Sequence, residues 1–170
     1  MALLIGVSTQ LGNGGGTTSD SDTSASDGGT TPEESNDRTP IGTTATDDNS
    51  FTFTIASVKC GIASVGSEIL GSAAQGQYCA VDLTVENVGD KPEYFFADAQ
   101  KAFDAEGREF SPDTTAMIYG NESSDVWMTE INPGNKINGL VYFDIPADAS
   151  IDYFEFHASS WSVGVELAAK

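Results

Sequence analysis

One histidine, two cysteines and 26 acidic side chains are the residues of this chain with the widest chemical reach. A hydrolase triad needs a nucleophile, a base and an orienting acid. His157 has Ser159, Ser160 and Asp152 close in sequence, but no nucleophile-elbow motif accompanies them. In the alternation of its segment His157 falls on an outer strand face with Glu155 on the same side, which reads as an exposed structural histidine. Paired carboxylates able to flank a glycosidic bond arise by chance in so acidic a chain. Calcium takes several oxygen ligands from a loop, often with a glycine at the sharp turn. Asp104, Glu106 and nearby Asp113 are the candidate ligands on that ground, without EF-hand spacing; a hairpin turn over Asp104 to Gly107 accounts for the first two equally well. No other cofactor is called for. The glycines at 14–16 lack the preceding strand and following helix of a phosphate loop.

Cys60 and Cys79 are too far apart in sequence for the short paired spacings of a zinc site. Each lies at or near the edge of an expected strand, so they are either disulfide-bonded, in an oxidising compartment, or two buried thiols. A disulfide closing a loop of this length adds about 3 kcal/mol in the chain-entropy model. Among the aromatics, Trp127 reads as a core filler of a sandwich and Trp161 as a surface or edge residue. Leu140 and Tyr142 fall in opposite phase to Val141 and Phe143 and so read as an outer apolar patch. With Tyr153 and Trp161 they are the candidate partner-binding residues, because Trp and Tyr dominate binding hot spots.

These residues need elements to position them. Residues 12–50 are rich in Gly, Ser, Thr and Asp, with very few apolar side chains. Such a stretch cannot bury enough surface to offset its ordering entropy and is expected to be a disordered acidic linker. It follows a short apolar segment, residues 1–11, which is far below the ~20 apolar residues of a membrane span. That segment is read as an anchor remnant or a pairing strand, with Leu3, Leu4, Ile5 and Val7 as candidate assembly residues.

From Phe51 to the end the pattern is strand after strand, divided by turn signals. Phe51, Phe53 and Ile55 alternate with threonines, and the phase then slips to Val58 and Cys60, which implies a bulge. Cys79, Val81, Leu83 and Val85 share one face of the clearest strand. Strands are also expected at Tyr94 to Phe96, Lys101 to Phe103, Arg108 to Phe110, Thr115 to Tyr119, Asp125 to Ile131, Lys136 to Ile145, Ile151 to Ala158 and Val163 to Leu167. No convincing amphipathic helix is found. The expected fold is all-β, an immunoglobulin-like antiparallel β-sandwich of about seven to nine strands over residues 51–170.

The ordered blocks Ser57-Val58-Lys59-Cys60-Gly61-Ile62, Gln75-Gly76-Gln77-Tyr78-Cys79, Leu83-Thr84-Val85-Glu86-Asn87-Val88-Gly89-Asp90, the run Gln100 to Phe110 and Glu130-Ile131-Asn132-Pro133-Gly134-Asn135 resemble the bacterial telokin-like (Mpr-type) domain of actinobacterial surface proteins and lipoproteins. The resemblance spans roughly residues 51 to 168. It implies an immunoglobulin-like sandwich, export, an N-terminal membrane or lipid anchor joined by a low-complexity linker, and a bond between the two cysteines. It carries no catalytic residues.

The net charge of −19 repels phosphates and anionic headgroups, which excludes nucleic acid as a partner, and the short apolar segment excludes direct membrane insertion by the chain as given. The expected function is therefore a non-catalytic extracytoplasmic protein-binding or adhesion module, secreted or tethered at the cell surface on its linker. One alternative is a self-assembling structural subunit joined through the N-terminal segment; a calcium-binding surface domain is another. The expected partner is another protein or the chain itself.

Overall fold

The computed structural model describes residues 37–123 and 128–170. Residues 12–36 of the linker expected over 12–50, the assembly residues Leu3, Leu4, Ile5 and Val7, and Trp127 lie outside them. Among the described residues there are ten strands: β1 (Thr44–Asp47), β2 (Phe51–Gly66), β3 (Gly71–Asn87), β4 (Glu93–Phe96), β5 (Lys101–Asp104), β6 (Glu109–Phe110), β7 (Met128–Ile131), β8 (Lys136–Ile145), β9 (Ile151–Phe156) and β10 (Val165–Ala168). One α-helix, α1 (Thr114–Gly120), and one short 3-10 helix, Ala97–Ala99, interrupt them. All strand pairings are antiparallel, in one sheet of order β1-β2-β3-β8, a second of order β10-β9-β5-β6 and a ribbon of β4 with β7. This is the immunoglobulin-like sandwich expected from the alternation.

Aromatic side chains join the layers. Phe53 of the first sheet stacks on Phe156 of the second at 5.5 Å, Phe143 meets Phe154 at 5.6 Å, and Phe95 of the ribbon meets Phe51 at 6.0 Å. Cys79, Val81, Leu83 and Val85 are fully buried, as their shared face requires. The register of β2 on β3 shifts between Ile55 and Ser57 and again between Lys59 and Ile62, where the apolar phase slips. Cys60 and Cys79 are disulfide-bonded across these two strands, and no free cysteine remains.

Two expectations are corrected. The linker does not extend to residue 50: Ala45 and Asp47 are buried in β1, and Ile41 packs against the core. What the composition hides is a hairpin. Asp48 and Asn49 both take positive φ, 50° and 54°, between β1 and β2, the conformation of a two-residue primed turn that these two residue types tolerate. Upstream, Thr39 runs parallel to β10, donating to the Glu166 carbonyl at 3.1 Å and accepting from the Ala168 N–H at 2.9 Å. Those bonds cover one outer sheet edge.

The second correction concerns Thr115 to Tyr119, expected as strand and found in α1. Thr and Ile favour a strand by propensity. The helix forms because the Asp113 carboxylate caps it, accepting from the Ala116 N–H at 2.8 Å, and because its turn buries Ala116 and Met117. Gly120 faces the Tyr142 ring so closely that a β-carbon there would collide with it.

Candidate binding surface

The sequence candidates separate into structural pins and exposed groups. His157 is not an exposed side chain as expected: it is 13% accessible, with Nε2 at 2.6 Å from Glu155 and Nδ1 at 3.2 Å from the Ser162 carbonyl. Ser162 turns back to its own loop, donating to the Ser159 carbonyl. Among the described residues no serine hydroxyl bonds His157, so the groups of a triad are not brought together. The backbone of His157 is held by Gln100, whose buried amide accepts the His157 N–H at 2.7 Å and donates to its carbonyl at 3.1 Å.

Asp104, Glu106 and Asp113 do not form a calcium loop. Asp104 is buried in the β5–β6 turn and accepts from the N–H groups of Glu106 and Arg108 and from the Arg108 guanidinium at 2.6 Å. Burial alone would raise its pKa; the bonds from Arg108 and Glu106 outweigh that and hold the carboxyl below its ordinary value. Glu106 reaches the same guanidinium at 3.7 Å. Asp113 is occupied as the helix cap and as an acceptor of the Tyr78 hydroxyl at 3.2 Å. Among the described residues no three His, Cys, Asp or Glu side chains are grouped to hold a metal ion.

Of the four expected contact residues, two are covered. Tyr142 is buried because α1 lies across that face, where its hydroxyl donates to the Gly120 carbonyl at 3.2 Å, and burial raises its pKa. Leu140 is half-buried against the core, and the Asn121 side chain satisfies both its backbone groups at 2.8 Å. Tyr153 stacks on Phe103 at 4.8 Å and lies under the Arg38 guanidinium, 3.6 Å from the ring centroid. Arg38 is held there by Glu166 at 2.9 Å and Asp152 at 2.5 Å. Trp161, by contrast, is 95% accessible, and Val163 beside it is also exposed.

A further group of outward aromatic side chains lies on β4, among none of the expected contact residues. In β4, Phe95 is fully buried while Tyr94 and Phe96 point outward, 55% and 42% accessible, with rings 6.1 Å apart. The β7 register sets Glu130 opposite Tyr94 and Met128 opposite Phe96, so these four side chains share the outer face of the ribbon. Met128 is 71% accessible. The signal was present as Tyr94-Phe95-Phe96, three aromatics of which period-two alternation can bury only one phase. A second apolar group, Ile69 and Leu70, lies at the tip of the β2–β3 hairpin.

The model of the family described as "Domain of unknown function (DUF4352)" matches residues 39–166, most of the chain and the whole extent from the Thr39 pairing to β10. The chain belongs to this family. Its DUF4352 sandwich is similar to the crystal structure of MPT63, a secreted protein from Mycobacterium tuberculosis, at a TM-score of 0.55 and 12% identity, covering 77% of this chain and 97% of that one. It is also similar to a conserved hypothetical protein from Bacillus anthracis, at a TM-score of 0.53 and 15% identity, covering 78% and 95%. A putative lipoprotein from Bacillus subtilis, YcdA, gives a TM-score of 0.50 at 12% identity over 73% of this chain, but only 38% of its own length. At these identities the likeness concerns the fold. No curated protein matches the sequence.

Proposed function

We propose that this DUF4352 domain is an exported, non-catalytic protein-binding module. The observation that carries this reading is the set of outward aromatic and apolar side chains on the β4–β7 ribbon, raised on a sandwich in which His157, Asp104 and Asp113 are engaged by neighbouring groups of the fold. Export is supported by the Cys60–Cys79 disulfide, which suits an oxidising compartment, and by the descriptions of two similar structures as a secreted protein and a putative lipoprotein. The telokin-like affinity of the sequence motifs belongs to the same reading. The Gly/Ser/Thr/Asp-rich stretch before the domain would then serve as a spacer from the envelope.

The test is binding of the purified full chain to exported proteins of its own source. Saturable capture of one species, competed by excess folded chain and lost when the chain is reduced and unfolded, is the expected result. Absence of any saturable species, or turnover of a substrate by the purified chain, contradicts the proposal.

A further inference from the structure

Among the described residues, two stacked aromatic pairs lie on outer strand faces with carboxylates near them, and a cation lies over one of the two. On the β5–β9 face, Phe103 and Tyr153 stack, carboxylates stand beside them at Asp152 and Glu166, and the Arg38 guanidinium lies over the Tyr153 ring between those acids. This satisfies ring face and carboxylates together, by cation–π attraction and by charge-assisted hydrogen bonds. On the β4–β7 face, Tyr94 and Phe96 stack at 22° between their planes, and the cross-strand partner of Tyr94 is the carboxylate-bearing Glu130. Glu93 precedes Tyr94 but faces the other side of the strand, opposite Ile131, while the exposed Asp98 follows Phe96 by two positions. Among the described residues, none of Glu93, Asp98 and Glu130 is ion-paired; the cations that are paired engage Asp104, Glu106, Glu109, Asp152, Glu155 and Glu166 instead.

Resting on the binding function proposed above, we propose that the outer face of the β4–β7 ribbon docks an arginine- or lysine-bearing segment of a protein partner, with apolar side chains flanking the cation. The cation takes the place at Tyr94 and Glu130 that Arg38 takes at Tyr153, and the apolar neighbours cover Phe96 and Met128. Charge complementarity chooses this occupant over a second copy of the chain, whose own face would bring Glu130 and Asp98 against like charges. The net charge of −19 also draws basic partners towards the molecule before contact.

The probes are three ten-residue peptides with neutral ends, alternating Leu with Arg, Ser with Arg, and Leu with Glu, titrated into the full chain by fluorescence anisotropy. The Leu/Arg peptide is expected to bind best, with the Ser/Arg peptide about tenfold weaker and the Leu/Glu peptide not bound. The double variant Tyr94→Ser/Phe96→Ser should weaken Leu/Arg binding about tenfold or more, and Glu130→Gln should weaken it and flatten its salt dependence. All three positions are exposed, so melting temperatures should stay near that of the parent chain. Asp148→Asn, an exposed acid elsewhere, should change nothing. Equal binding by parent chain and variants overturns the proposal in favour of general acidity. Equal binding of the Leu/Glu peptide removes the charge argument. A dimer that the double variant dissolves makes a second copy the occupant, and co-sedimentation with phosphatidylcholine vesicles makes it a lipid surface; both overturn the proposal. If the double variant still captures an exported partner, the site is wrong while the binding function stands. If the parent chain captures none but the peptides discriminate as expected, the function fails and the cation-binding face remains.

Discussion

Asp104 keeps a charged carboxylate inside a turn because three donors converge on it. Its folded pKa lies below the ordinary value, so the stability it contributes is fully present above the usual carboxylate range and is lost as pH falls through that range. Asp104→Asn should therefore lower the urea midpoint at neutral pH and flatten its fall from about pH 5 downward, read from unfolding curves at a series of pH values. Single residues were legible where alternation decides them: Phe154 and Phe156 are buried as their phase required. The same rule misjudged Tyr142 and His157. It assigns a side chain to the outer face of its sheet without seeing that α1 or a neighbouring loop lies over that face. The candidate site was readable only as three consecutive aromatics. Which of them face solvent depends on the pairing of β4 with β7, and that partner strand lies far along the chain.

At the scale of elements, β8 runs from Lys136 to Ile145 as its pattern and its Asn132-Pro133-Gly134-Asn135 turn require. Helix α1 escaped because its β-branched residues favour a strand, while its cap and its packing decide otherwise. The turn that follows protects β8. Asn121 donates to the Leu140 carbonyl and accepts its N–H, closing a strand edge with one amide side chain. Asn121→Ala leaves both groups without those partners and should cost about 1–3 kcal/mol. Hydrogen exchange at Leu140 should accelerate in the same variant. An unchanged exchange rate would mean that water replaces the amide without loss.

Taken as a whole molecule, the domain begins earlier than its composition suggests. Arg38 anchors the start by pairing with Asp152 and Glu166, Thr39 extends the edge of β10, and β1 completes the first sheet with the buried Asp47 carboxylate, which accepts from the Ala158 N–H at 2.7 Å. A chain beginning at Phe51 loses all three and exposes two sheet edges. It should melt well below the full chain or aggregate, as seen by circular dichroism and light scattering; an unchanged melting temperature would deny that residues 38–47 belong to the domain. Composition concealed this because Gly, Ser, Thr and Asp serve a short edge strand and its turn as readily as a spacer.

The function proposed here depends on a protein partner meeting the β4–β7 ribbon in the envelope. A photo-reactive benzoylphenylalanine placed at Phe96, and in a control at Thr46, reads that contact directly in cells that export the full chain. The expected result is an adduct from position 96 alone, heavier than the chain by the mass of a different protein whose cross-linked segment carries Arg or Lys. No adduct from position 96, or one at twice the mass of the chain, would contradict it.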